Sequence, residues 1–137
     1  MKFKCLIILL SLISVTACNQ SSKKESANGV YFINLKDGDR VKSPVIVEMG
    51  VRGMTVEPAG DYNEGKGHHH LIIDGGYEEK GEMIPKDSVH LHFGKGQTID
   101  TLKLKPGEHT LTLQFADGLH RSYGKDWSAT IKIEVQQ

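Results

Sequence analysis

The chain has 137 residues, with 17 Lys and Arg against 17 Asp and Glu, seven His and two Cys. The balanced charge excludes the basic footprint of a nucleic-acid-binding domain, so no nucleic-acid partner is expected. The length allows one small domain with a core of its own.

Met1 to Ala17 reads as a targeting segment. Lys2 and Lys4 precede the apolar run Leu6 to Val15, which is shorter than the roughly 20 residues a membrane-spanning helix needs. Val15-Thr16-Ala17-Cys18 resembles a bacterial lipobox. That resemblance implies a signal peptide over residues 1–17, a lipid on Cys18, and attachment to a membrane through it. Asn19, where an Asp would imply inner-membrane retention, favours the outer membrane of a bacterial envelope, facing periplasm or surface. Cys5 leaves with the signal and Cys18 carries lipid, so no thiol remains for a disulfide, a metal or nucleophilic chemistry. Loss of Lys2 and Lys4 leaves 15 basic against 17 acidic residues, a net charge of −2. Cys18 and the polar stretch to Asn28 (residues 18–28) form a lipidated, flexible linker.

Residues 29–137 form the domain, and their pattern is β. Val30 to Ile33 is a first strand, and Lys36-Asp37-Gly38-Asp39 a turn. In Pro44 to Arg52 the residues Val45, Val47, Met49 and Val51 alternate with Ile46, Glu48 and Gly50, as in a half-buried strand. Gly53 to Lys66 reads as a loop. A strand through His68 follows, then a loop over Gly75 to Ser88 and a short strand at His90. Leu102 and Leu104 point inward from the next strand. Leu111, Leu113 and Phe115 belong to another, Asp117 to Ser128 is a long loop, and Ile131, Ile133 and Val135 mark the last strand. About seven short strands with polar turns and no sustained helical period predict an all-β, antiparallel β-sandwich. Lys36-Asp37-Gly38 through Ser43-Pro44-Val45, and Pro106-Gly107-Glu108-His109-Thr110-Leu111, resemble bacterial immunoglobulin-like modules, which implies an immunoglobulin-like sandwich.

The chemistry lies in the histidines. Gly67-His68-His69-His70-Leu71-Ile72-Ile73-Asp74 and Val89-His90-Leu91-His92-Phe93 contain two His-x-His pairs, His68/His70 and His90/His92. In a strand, residues i and i+2 share a face with their Cα atoms roughly 6.5–7 Å apart. Each pair can therefore converge on one metal ion, and two adjacent strands offer four nitrogens. A thiolate-free nitrogen set suits copper or zinc over calcium or magnesium. His120 in the long loop and Met54, a soft ligand, are further candidates for that site. His69 shares parity with Leu71 and Ile73, so a buried, hydrogen-bonded structural role is expected. His68 and His70 then face the other way with Ile72, and an outward Ile72 calls for a cover, for which the Gly75 to Phe93 segment is the nearest candidate. His109 follows Pro-Gly-Glu, where immunoglobulin-like domains often place a corner Tyr, and is expected to be structural.

Gly53-Met54 with Pro58-Ala59-Gly60, the Gly67 to Asp74 stretch, His90-Leu91-His92-Phe93-Gly94-Lys95-Gly96-Gln97-Thr98 and Pro106 to Leu111 together resemble one bacterial family, the domain of unknown function 4399 (DUF4399). The likeness runs in order over nearly all of Val30 to Val135, and it implies no settled activity. After the Asp117 position the family tends to carry a His and then a Pro-rich run with a second His. Here Leu119-His120-Arg121-Ser122-Tyr123-Gly124 has one His and no Pro.

The expected function is an envelope lipoprotein that binds copper or zinc through paired histidines, with an envelope protein as a partner. The alternative is a metal-free β-sandwich module that holds a protein or small ligand, its histidines being structural. His-x-His pairs on such a sandwich also resemble copper–zinc superoxide dismutases, but the rest of that pattern, including its disulfide, is missing. No Ser-His-Asp, phosphate-loop or paired-carboxylate signature is present, so a binding protein is expected rather than an enzyme, and no catalytic residue is assigned.

Overall fold

The computed structural model describes residues 28–137. The signal segment, Cys18 and residues 19–27 of the linker lie outside the described residues. In chain order the strands are β1 (Gly29–Phe32), β2 (Asp39–Lys42), β3 (Val45–Arg52), β4 (Thr55–Val56), β5 (Lys66–Ile73), β6 (His90–His92), β7 (Ile99–Leu102), β8 (Gly107–Ala116) and β9 (Ser128–Gln136), with a 3-10 turn at Lys125–Trp127.

The strands make an all-β sandwich. One sheet has the order β1-β3-β7; the other has the order β2-β9-β8-β5-β4, with β6 also paired to β5. Period-two patterning decides which face of each strand turns inward. Val45, Val47 and Met49 of β3 meet Leu71 of β5, Leu111, Leu113 and Phe115 of β8, and Ile131, Ile133 and Val135 of β9 in one core between the sheets. Strand β8 departs from alternation: every residue from Leu111 to Ala116 is buried. Its second face, carrying Thr112 and Gln114, is therefore covered as well, on the side of the sheet away from the core.

The cover is the segment between β5 and β6. Thr112 Oγ1 donates to the Gly75 carbonyl at 2.8 Å, the Glu78 N–H donates to Gln114 Oε1 at 3.2 Å, and Ser122 Oγ donates to the Glu78 carbonyl at 2.8 Å. Ile72 of β5 and Ile84 of the segment itself are buried, 1% and 6% exposed. Ile72 thus faces away from the core and is still dry.

The sheets differ in detail from the sequence reading. β2 pairs with β9 and β4 with β5 in parallel; β4 lies within the stretch expected as a loop, and β2 runs on from the expected turn through residues to which the sequence reading assigns no strand. They have four and two residues, too few for a period to be legible, and their partners' free edges recruit them. β7 ends at Leu102, and Leu104 packs on the core from beyond the strand.

Candidate metal centre

Strand parity places His68, His70 and Ile72 on the outer face of β5, and register then brings further imidazoles to them. β6 runs antiparallel to β5 with His92 opposite His70 and His90 opposite Ile72. On the other edge β8 sets Ala116 opposite His68 and Gln114 opposite His70, and the small Ala116 leaves room above His68.

His120 enters from the turn after β8. Asp117, 3% exposed, organises that turn: its Oδ1 accepts from the N–H groups of Leu119 and Arg121 at 2.9 and 3.0 Å, and its Oδ2 accepts from Arg121 Nε at 2.8 Å. The turn closes with the His120 N–H on the Asp117 carbonyl at 2.9 Å and puts His120 at φ +67°, a left-handed conformation uncommon for a residue with a Cβ.

Four imidazoles result, with rings packed at centroid distances of 4.6 to 6.0 Å across pairs of strand and turn. Nε2 of His68 and Nε2 of His70 lie 3.0 Å apart, as do Nε2 of His92 and Nε2 of His120. Ligating nitrogens of His68, His70 and His92 all fall within 4.8 Å of one another, so this group can hold a metal ion. The His92 ring is held in place from behind by Gly94, where an added Cβ would sit 2.2 Å from His92 Cε1.

Electrostatics favours free lone pairs. Burial, then the neighbouring His92 and His120, lowers His68 from 6.5 to about 4. Burial, then His68, His92 and His120, takes His70 to about 2. His92 is lowered by burial, by His120 and by Lys86. Near neutral pH these rings are uncharged, the state in which imidazole binds metal. Two nitrogens 3.0 Å apart cannot present bare lone pairs to each other; they share a proton or a cation. Nδ1 of His68 and of His70 are buried with no hydrogen-bond partner among the described residues. The donor set is all nitrogen and converging, and His68, His70 and His92 are uncharged near neutral pH.

The other candidates lie elsewhere. His90, expected in the cluster, is drawn aside by acids: its Nδ1 is 2.8 Å from Asp87 Oδ1 and its Nε2 3.7 Å from Glu78 Oε1. His120 takes the fourth place. Met54 packs on the hydrophobic core. His69 is fully buried as expected, but neither ring nitrogen has a hydrogen-bond partner among the described residues; the ring stands edge-on to Phe115 at 5.1 Å, and burial lowers its pKa to about 4. His109 bridges Asp74 Oδ2 and the Lys105 carbonyl, both at 2.9 Å. Both partners only accept, so both ring nitrogens donate. Burial opposes the charge, but these two bonds raise the His109 pKa above its ordinary value.

Sequence reading does not single out Asp117, Gly94 or Ile84. Asp117-Gly118 is a legible turn signal, whereas Gly94 acts only through its contact with a ring two residues back. Beside the histidines lies a cavity of ≈ 260 Å³, lined by His70, His92 and His120 together with Met83, Ile84, Pro85 and Lys86.

Comparison with known proteins adds a family and little else. The model of a family described as "Domain of unknown function (DUF4399)" matches residues 47–136. Comparison with curated protein sequences returns no match. Among solved structures, the chain is similar to the X-ray structure of the endo-beta-1,4-mannanase from Thermotoga petrophila at 20% identity and a TM-score of 0.45, covering 85% of this chain and 21% of that one.

Proposed function

Because the chain belongs to the DUF4399 family, whose description names no activity, its function has to be read from its own site, and we propose that it is a metal-binding protein of the bacterial envelope that holds one copper or zinc ion through His68, His70, His92 and His120. The observation that carries this reading is the convergence of four imidazoles from β5, β6 and the turn after β8, with two nitrogen pairs at 3.0 Å. The protein's own part is to keep His68, His70 and His92 unprotonated by burial and to hold them at fixed spacing through strand register. A bound ion supplies the positive charge that the facing lone pairs lack. The lipobox at Val15 to Cys18 supports attachment to a membrane through a lipid on Cys18, with an envelope protein as donor or acceptor of the ion.

Titration of metal-free protein with Zn(II) and with Cu(II) tests the site. One ion per chain is expected, with His92→Ala and His120→Ala each weakening binding about tenfold or more and His90→Ala changing it less than about threefold. Equal losses for His90→Ala and His92→Ala would return His90 to the site. Failure of the wild type to bind either ion would leave the metal-free binding module as the reading. Mass analysis of the mature N-terminus tests the anchor: a lipid on Cys18 supports it, and an unmodified terminus refutes it.

A further inference from the structure

The cavity beside the imidazoles is also lined by an oddly placed side chain. Met83 lines the same cavity as His70, His92 and His120, yet it is 61% exposed, while its neighbour Ile84 is 6% exposed. The backbone beneath Met83 is not loose. The Ile84 N–H donates to the His120 carbonyl at 3.0 Å, Met83 forms an isolated bridge with Arg121, and Gly81 and Glu82 exchange bonds with Ser122 at 2.8 Å each. The segment carrying Met83 is therefore tied to the turn that carries His120. Packing accounts for Ile84 better than for Met83, which leaves most of its surface in water while lining a cavity that three imidazoles also line.

Thioether sulfur is soft, uncharged at every pH of interest and a good partner for Cu(I), whereas Zn(II) is well satisfied by imidazole nitrogen alone. We propose that Met83 is a specificity-determining ligand: its thioether engages reduced copper at the cavity side of the imidazole cluster and makes the site favour Cu(I) over Zn(II). The proposal rests on the metal-binding reading above and adds which metal and which oxidation state the site selects. It involves no electron transfer, because the ion is bound already reduced.

The test uses the full chain, wild type and Met83→Leu, with any free thiol alkylated. Leu keeps the apolar volume and removes the sulfur. Cu(I) affinity is measured without oxygen by competition with a chromophoric chelator, and Zn(II) affinity by competition in the same buffer. The expected result is a Cu(I) affinity about tenfold weaker in Met83→Leu, a Zn(II) affinity within about twofold of wild type, and loss of a sulfur scatterer from the copper X-ray absorption spectrum. Unchanged Cu(I) affinity, or an equal fall for both ions, overturns the role of Met83 while leaving the four-histidine site intact. A wild type that binds neither ion fails at the earlier step, and the two failures are distinguished by that one measurement.

Discussion

At the scale of single residues, the seven histidines do three different jobs, decided by what stands beside each ring. His120 is the most exposed to test, because it combines a site role with an unfavourable backbone at φ +67°. Glycine adopts that conformation without penalty, so His120→Gly is expected to leave the metal-free fold no less stable than wild type, with a gain of up to about 1 kcal/mol, while metal affinity drops about tenfold. Chemical denaturation and a zinc titration check both halves, and unchanged affinity would place His120 outside the coordination set. His109 behaves in the opposite electrostatic sense to the buried rings. Its folded pKa is raised by Asp74 and the Lys105 carbonyl, so the stability it contributes is full below its unfolded value of 6.5 and is lost as pH rises through the folded value. Asp74→Asn is therefore expected to cost roughly 1 kcal/mol at pH 6 and clearly less at pH 8.5, by denaturation at the two pH values. An equal cost at both would mean that His109 is neutral in the fold.

At the scale of elements, β6 and the turn after it aim one ring. His92 is brought opposite His70 by three residue pairs of β5 and β6, and Gly94 then closes the space behind it. In Gly94→Ala the new methyl meets the far end of a side chain, not backbone, so His92 can swing aside. The fold is expected to lose less than about 1 kcal/mol while zinc affinity falls about tenfold or more. Calorimetry beside a thermal melt measures the two effects, and a loss of stability with affinity retained would mean that the strand moved and the ring did not. The cover segment is tied to the same face of the sheet by its bonds to Thr112, Gln114 and Ser122, and it places Ile84 on the lining of the cavity beside the imidazoles.

At the scale of the whole molecule, burying neutral histidines links folding to acid. His69 sits in the core with a folded pKa of about 4 against 6.5 unfolded, so the unfolded chain takes up protons first as pH falls. Stability is complete above about pH 6.5 and is lost progressively toward pH 4. His69 alone is expected to make metal-free protein on the order of 2 kcal/mol less stable at pH 5 than at pH 7.5, and His69→Leu to flatten that dependence. Urea unfolding across this range measures it; an identical pH slope in His69→Leu would show that other groups carry the linkage. Bound metal is expected to add stability without removing this loss, because His69 is not one of the ligands and the unfolded chain still takes up the proton.

The sequence by itself determined the sandwich and half of the site. Alternation in Val45 to Val51, Leu111 to Phe115 and Ile131 to Val135 leaves each strand one inward face, because the side-chain period is two and the apolar face must leave water. The same parity separated His69 from His68 and His70 before any partner was known, and an outward Ile72 announced a cover. The partner strands were not legible. His90 and His92 are indistinguishable by parity, and only the β5–β6 register, with Asp87 and Glu78 waiting beside His90, decides that His92 joins the cluster. His120 lies 28 residues from the ring it touches, on a turn whose shape depends on a buried Asp117, so its place is a property of the closed fold. Short-range periodicity reads faces; which residues meet across strands and turns is decided by register and loop closure, and these form only when the whole sheet is assembled.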